Sequence, residues 1–139
     1  MLERIRIPDD LVIQMEMAVQ AAMPNEACGL LGGNGDLAGI FLPITNDHNS
    51  STTFYMNPEE QLHAFLFLEA QQMELLAIFH SHPNGPAAPS PSDVAQFYYP
   101  GILSIIWSPG NGKEHLHAFH ILPEGVREMP IIIEMSRNG

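Results

Sequence analysis

Leu75-Leu76-Ala77-Ile78-Phe79-His80-Ser81-His82-Pro83 is the stretch whose reading decides the fold. Leu75 to Phe79 form a compact apolar run, the pattern of a central strand buried on both faces. The run ends in His-Ser-His-Pro, where a buried strand meets a loop rich in Gly and Pro. Active-site residues commonly sit at such a junction. Residues i and i+2 of a strand share one face, about 7 Å apart. His80 and His82 can therefore converge on one ion, while Ser81 points to the opposite face and reads as structural. A His-x-His pair by itself is a weak signal and more often marks two surface histidines.

Downstream, a loop of Pro, Gly and Ala runs to Pro89, and Ser90-Pro91-Ser92-Asp93 reads as a helix start. A helix start is a rigid mount for a third ligand. Two neutral imidazoles and one carboxylate, with water in the fourth place, make an open catalytic zinc site. The same four residues also read as an N-cap, with Ser90 as cap, proline at the first helical position and Asp93 three residues on. The two readings are compatible if the capping turn holds Asp93 while a carboxylate oxygen faces the metal.

Working outward, residues 3–7 alternate with Ile5 and Ile7 on one side and predict a short strand. Pro8-Asp9-Asp10 opens a helix whose apolar stripe is Leu11, Val12, Met15, Ala18, Val19 and Ala22, ended by Pro24-Asn25. Residues 27–31 predict a strand, Gly32-Gly33-Asn34-Gly35 a hairpin turn, and residues 37–44 its partner. Residues 45–57 read as a polar loop with a short strand around 53–56. Pro58-Glu59-Glu60 starts a helix. Residues 102–107 and 114–122 predict strands joined by the turn Pro109-Gly110-Asn111-Gly112, and Ile131-Ile132-Ile133 a last strand. No repeat or linker interrupts this order. The expectation is one α/β domain over residues 1–139, with 136–139 frayed.

Composition narrows the function. The 139 residues carry a formal charge of −11 with only 5 Lys and Arg, which disfavours nucleic acid and anionic membrane surfaces, since both need clustered cations. No apolar run is long enough to span a bilayer and the start lacks a signal-peptide core, so a cytoplasmic location is expected. The one cysteine, Cys28, rules out an internal disulfide and a Cys-rich zinc cluster, so a metal site must use His and carboxylates.

His80-Ser81-His82, seven residues, Ser90, two residues and Asp93 together match the His-Ser/Thr-His-x7-Ser-x-x-Asp signature, and the chain resembles the JAMM (MPN+) metallopeptidases. Pro24-Asn25-Glu26-Ala27-Cys28-Gly29-Leu30-Leu31-Gly32 is similar to that family's Glu-bearing strand. Pro43-Ile44-Thr45-Asn46 and Phe54-Tyr55-Met56 are similar to family segments as well. The resemblance covers nearly the whole chain, with short loops like those of the compact, single-domain prokaryotic type. It implies a curved mixed β-sheet flanked by helices, the MPN/JAB form of the cytidine-deaminase-like architecture. It also implies one Zn2+ per chain with a bound water, held by His80, His82 and Asp93. Glu26 would act as general base on that water and Ser90 as a donor to the oxyanion.

What the resemblance implies is a hydrolase of peptide or isopeptide-type amide bonds. Its expected substrate is the C-terminus of a small ubiquitin-like or sulfur-carrier protein, including adducts linked to cysteine. Nucleic acid and membrane partners are not expected, and a homodimer is left open. The competing readings are a non-catalytic MPN-type scaffold, which the joint retention of the five site residues opposes, and a zinc hydrolase of a small-molecule amide. A zinc deaminase is disfavoured because its paired Cys ligands are missing. Among the remaining residues, Cys28 reads as packing beneath the site. His115, His117 and His120 read as part of a sheet-edge strand in preference to a second metal site. His48 and His63 read as surface residues. The methionines, Met15, Met17 and Met23 among them, read as core fillers.

Overall fold

A computed structural model describes residues 1–97, 99–110 and 115–135. The chain opens with β1 (Ile5–Pro8) and α1 (Asp9–Ala22), then the hairpin of β2 (Cys28–Asn34) and β3 (Leu37–Ile44). Helix α2 (Pro58–Ala70) leads into β4 (Glu74–Ser81), and the short α3 (Pro91–Ala95) into β5 (Leu103–Trp107). Three strands finish it: β6 (Leu116–Leu122), β7 (Gly125–Met129) and β8 (Ile131–Glu134).

Among the described residues these strands form one mixed sheet in the order β7-β6-β5-β4-β2-β3-β1-β8. The run Leu75 to Phe79 lies in β4, inside the sheet, paired antiparallel to β2 and parallel to β5. Consecutive strands β7 and β8 sit at opposite ends of that order with only Pro130 between them. The sheet must curl to allow this, and β6 and β8 come into contact. The result is a curved, nearly barrel-like sheet.

Alternation along the central strands feeds two apolar cores. On one face Leu31, Phe79 and Ile105 pack with Ile5, Ile7 and the α1 residues Leu11, Met15 and Val19. On the other, Cys28, Leu30 and Ile78 pack with Ile44, Met56 and Ala64 of α2. This second face carries His80. Arg4 and Arg6 both donate to Asp36 at 2.8 Å, and Arg6 also to Glu134 at 3.2 Å, so two of the few cations tie β1 to the hairpin and to β8. These bonds hold the Asp36 carboxyl below the usual carboxylate range. No helix among the described residues is long and apolar enough to cross a membrane.

Several sequence expectations need correction. Gly32 and Gly33 do not form the turn. β2 continues through them to Asn34, and the chain reverses at Gly35-Asp36, with Gly35 at φ +62°. The two glycines answer crowding: a Cβ at Gly32 would lie 2.3 Å from Leu68 Cδ2, and one at Gly33 would lie 2.2 Å from the carbonyl oxygen of Leu37. The strand expected around 53–56 reduces to a single bridge between Asn46 and Met56. Strand β6 is not an edge, because β7, which was not foreseen, pairs along it. Of the methionines, Met15 and Met56 are buried, but Met17 and Met23 are exposed and fill no core gap. The turn at 109–112 and the tail at 136–139 fall partly or wholly outside the described residues.

Candidate metal centre

Strand pairing builds the site. In the β2–β4 ladder Cys28 lies opposite His80, and beyond it Ser81 N–H donates to the carbonyl of Ala27 at 3.0 Å. Ser81 turns to the other face and its Oγ accepts the N–H of Ala27 at 2.8 Å, the structural role expected of it. Glu26, one residue further on, is thereby brought beside His80. His82 follows the strand end and stays registered to β5 through its N–H to the carbonyl of Trp107, at 2.7 Å. Glu26 and His80 are each 1% exposed and His82 6%, so these polar side chains must answer one another.

They do. His80 Nδ1 lies 3.2 Å from Glu26 Oε1, and His82 Nδ1 lies 2.8 Å from the carbonyl oxygen of Pro86. Both partners are acceptors, so each ring carries its proton on Nδ1 and presents Nε2. The two Nε2 atoms approach the same atom, Asp93 Oδ2, at 3.0 Å from His82 and 3.7 Å from His80. Ligands sharing one tetrahedral zinc at about 2 Å stand about 3.4 Å apart. Separations of 3.0 and 3.7 Å lie on either side of that value, so both contacts to Asp93 are compatible with a shared zinc ion. A second grouping exists: Glu26, His80 and His82 each offer a ligand atom within 4.8 Å of one another. Glu26 is thus close to both imidazoles and hydrogen-bonded to His80 Nδ1.

Asp93 is mounted as the sequence suggested. Helix α3 begins with a capping box: Asp93 N–H donates to Ser90 Oγ at 3.0 Å, and Ser90 N–H to Asp93 Oδ2 at 2.8 Å. Oδ2 is thus the oxygen that both closes the cap and faces the imidazoles. Burial raises the Asp93 pKa, but His82, His80 and the Ser90 amide outweigh it and bring the carboxyl to about 2. His82 shows the reverse balance. Burial lowers its pKa, yet Asp93 and the Pro86 carbonyl leave it raised. The Asp93 carboxylate thus favours the charged imidazole beyond what burial alone would allow.

Cys28 is buried, its Sγ donates to the carbonyl of Ile44 at 3.3 Å, and burial with the nearby Glu26 charge pushes its thiol up to about 12. It packs beneath the site, as expected. His48 and His63 are exposed, though His48 stacks on Tyr55. His117 pairs with Glu128 at 2.9 Å, and buried His120 bonds the Leu2 carbonyl, facing away from His117. The three histidines form no metal-binding group among the described residues. Sequence reasoning missed the aromatic chamber beside the site. It is a cavity of about 480 Å³ whose lining includes Phe54, Tyr55, Phe97 and Tyr99 together with His80 and Asp93. Phe54 stacks on His80 at 4.5 Å between ring centroids, and Tyr99 accepts a hydrogen bond from Gln61 at 2.9 Å. In the sequence the only signal for it is the segment Phe54-Tyr55-Met56, which carries no role by itself.

A curved mixed sheet with a buried histidine–carboxylate cluster at the mouth of a central strand defines a protein of the JAB/MPN class. Residues 8–125 match the family described as prokaryotic homologs of the JAB domain. A probable TtuB-protein conjugate cleaving protease of Thermus thermophilus is 33% identical over 91% of this chain and 81% of its own length. A CysO-cysteine peptidase of Mycobacterium tuberculosis is 30% identical over 88% of this chain and 86% of its own. A solution structure of a Desulfitobacterium hafniense protein superposes with a TM-score of 0.86 at 34% identity, covering 96% of this chain and 95% of the other. The chain belongs to the prokaryotic JAB family and is a hydrolase of the JAMM type.

Proposed function

We propose that this chain, read as one JAMM domain over residues 1–139, is a zinc-dependent hydrolase of peptide or isopeptide-type amide bonds. Its substrate in this reading is the C-terminus of a small ubiquitin-like or sulfur-carrier protein. The observation that carries it is the convergence of His80 Nε2 and His82 Nε2 on Asp93 Oδ2, with Glu26 hydrogen-bonded to His80 and within 4.8 Å of the ligand atoms of both histidines. His80, His82 and Asp93 would hold one zinc per chain. Bound there, zinc would lower the pKa of a water toward 7 and polarise the scissile carbonyl.

The chain's own groups do the rest. Glu26 Oε1 accepts the Nδ1 proton of His80, leaving its second oxygen to take a proton from the attacking water and pass it to the leaving amine. Ser90 Oγ already accepts the Asp93 amide, so its own hydrogen is free to donate to the developing oxyanion. The Pro86 carbonyl and Glu26 fix both imidazole tautomers, as outer partners of metal ligands do. The chamber between Phe54-Tyr55 and Phe97 offers an apolar bed for an extended tail. Support for the substrate comes from the two named relatives, one a probable TtuB-protein conjugate cleaving protease and the other a CysO-cysteine peptidase. A cytoplasmic setting without nucleic acid or membrane belongs to the same reading.

Metal analysis tests the ligand set. The purified chain should hold about one zinc. His82→Ala should lose zinc and turnover together, and Glu26→Gln should keep zinc while turnover falls about 10²- to 10⁴-fold. Absence of zinc at neutral pH, or an active Glu26→Gln, would remove the corresponding role.

A further inference from the structure

Asn46 has no part in the chemistry above, yet its side chain is the node of the loop beside Glu26. Its amide makes four hydrogen bonds, as many as it offers. Nδ2 donates to the carbonyls of Glu26 and Thr53, both at 3.1 Å. Oδ1 accepts the N–H of His48 at 3.0 Å and of Tyr55 at 2.9 Å. Glu26 precedes β2, so the strand ladder does not hold it. Its N–H donates instead to the carbonyl of Ser50 at 2.7 Å, and its C=O accepts from Asn46. Both backbone groups of Glu26 are thus tied to the loop of residues 46–56.

The same amide brackets Phe54, bonding the residue before it and the residue after it. Phe54 lies stacked on His80, with ring centroids 4.5 Å apart and planes 21° from parallel. His80 returns the connection to Glu26 through Nδ1. A closed circuit results: Glu26 backbone, Asn46, the Thr53–Tyr55 segment, the Phe54 ring, His80, Glu26 carboxylate. Asn46 is the one side chain in it that bonds both the backbone of Glu26 and the segment covering His80.

We propose that Asn46 is a positioning residue, which sets Glu26 and the Phe54 cover of His80 in register with one another. This rests on the reading of Glu26 as general base. A misplacement of about 1 Å in such a group can lower a rate on the order of a hundredfold. The loop therefore works as part of the catalytic frame, and its geometry is transmitted to Glu26 through a side-chain amide instead of a strand ladder.

Asn46→Asp and Asn46→Ala test it. The first keeps the shape and the two accepted bonds but loses the two donated ones; the second removes all four without adding charge. Each variant is loaded with Co²⁺, whose visible absorption reports the ligand set, and assayed on a small ubiquitin-like carrier extended at its C-terminus. Expected in both is cobalt absorption like the wild type, KM within about twofold, and kcat lowered about tenfold or more. A folded Asn46→Asp with wild-type kcat overturns the proposal. So does loss of cobalt absorption, or of folding, in step with kcat in both variants, since Asn46 would then serve the fold alone. Glu26→Gln separates the two levels. If it stays active, the base assignment falls and the proposal with it; if it is inactive beside a fully active Asn46→Asp, only the proposal falls.

Discussion

His82 stands between two claims on its Nε2 atom. In the metal-free chain Asp93 Oδ2, 3.0 Å away, favours a proton there, and the pKa of His82 is raised. A metal needs the same lone pair, so binding must release that proton. Asp93, with a pKa of about 2, stays ionised throughout and sets no limit in this range. The sign follows. Below the raised His82 pKa the proton competes and zinc binding weakens; above it affinity levels off. Competition titrations with a chromophoric chelator between about pH 5 and pH 8 should show affinity rising and then reaching a plateau, the turn lying above the unperturbed value of about 6.5. A flat profile would mean that His82 does not release a proton to the metal. Much of this site was legible in the sequence, because spacing on a strand and a capping pattern are local. The sharing of one oxygen between cap and imidazoles was not, since it depends on how the loop after Pro83 folds back.

At the scale of elements, α3 has five residues and no buried apolar side chain, so its cap and the contacts of Asp93 with the imidazoles hold it. Ser90→Ala should cost the cap about 1 kcal/mol, read as a lower unfolding midpoint of the metal-free chain and faster zinc loss. At saturating zinc it should still turn over about 10²-fold more slowly if the hydroxyl also serves the oxyanion. Recovery of full rate under saturating zinc would leave Ser90 as a cap alone. Strand β2 supplies the opposite case, an element whose sequence misleads. Gly32-Gly33 reads as a turn, but the Leu37 carbonyl comes so close that Gly33 must be glycine inside the strand, while at Gly32 the neighbour is the end of the Leu68 side chain. Gly33→Ala should destabilise by about 3 kcal/mol, the upper part of the range for overpacking. A denaturant midpoint equal to the wild type would refute that explanation of the glycine. Strand β7, Gly-Val-Arg-Glu-Met, escaped notice for a physical reason. It is an exposed edge strand with no apolar face to give it a period.

For the molecule as a whole, the curled sheet gathers Glu26, His80, His82 and Asp93 from positions that span 68 residues of sequence onto one rim. The central strand and the first helix could be read from apolar periodicity and the second helix from its Pro-Glu-Glu start, although its Leu62 and Leu66 are exposed, whereas the closure of β8 onto β1 could not. Parallel pairing between chain ends leaves no local signature. A rim built this way, beside an aromatic chamber on an acidic protein, suits an extended and uncharged or basic tail better than an anion. The most direct measurement is intact-mass analysis of small ubiquitin-like and sulfur-carrier proteins, extended at the C-terminus or joined there to lysine or cysteine, after incubation with the zinc-loaded chain. Release of the extension at the carrier's terminal residue is expected, abolished by a chelator and restored by added zinc. Intact substrates across that panel, or cleavage indifferent to the chelator, would contradict it.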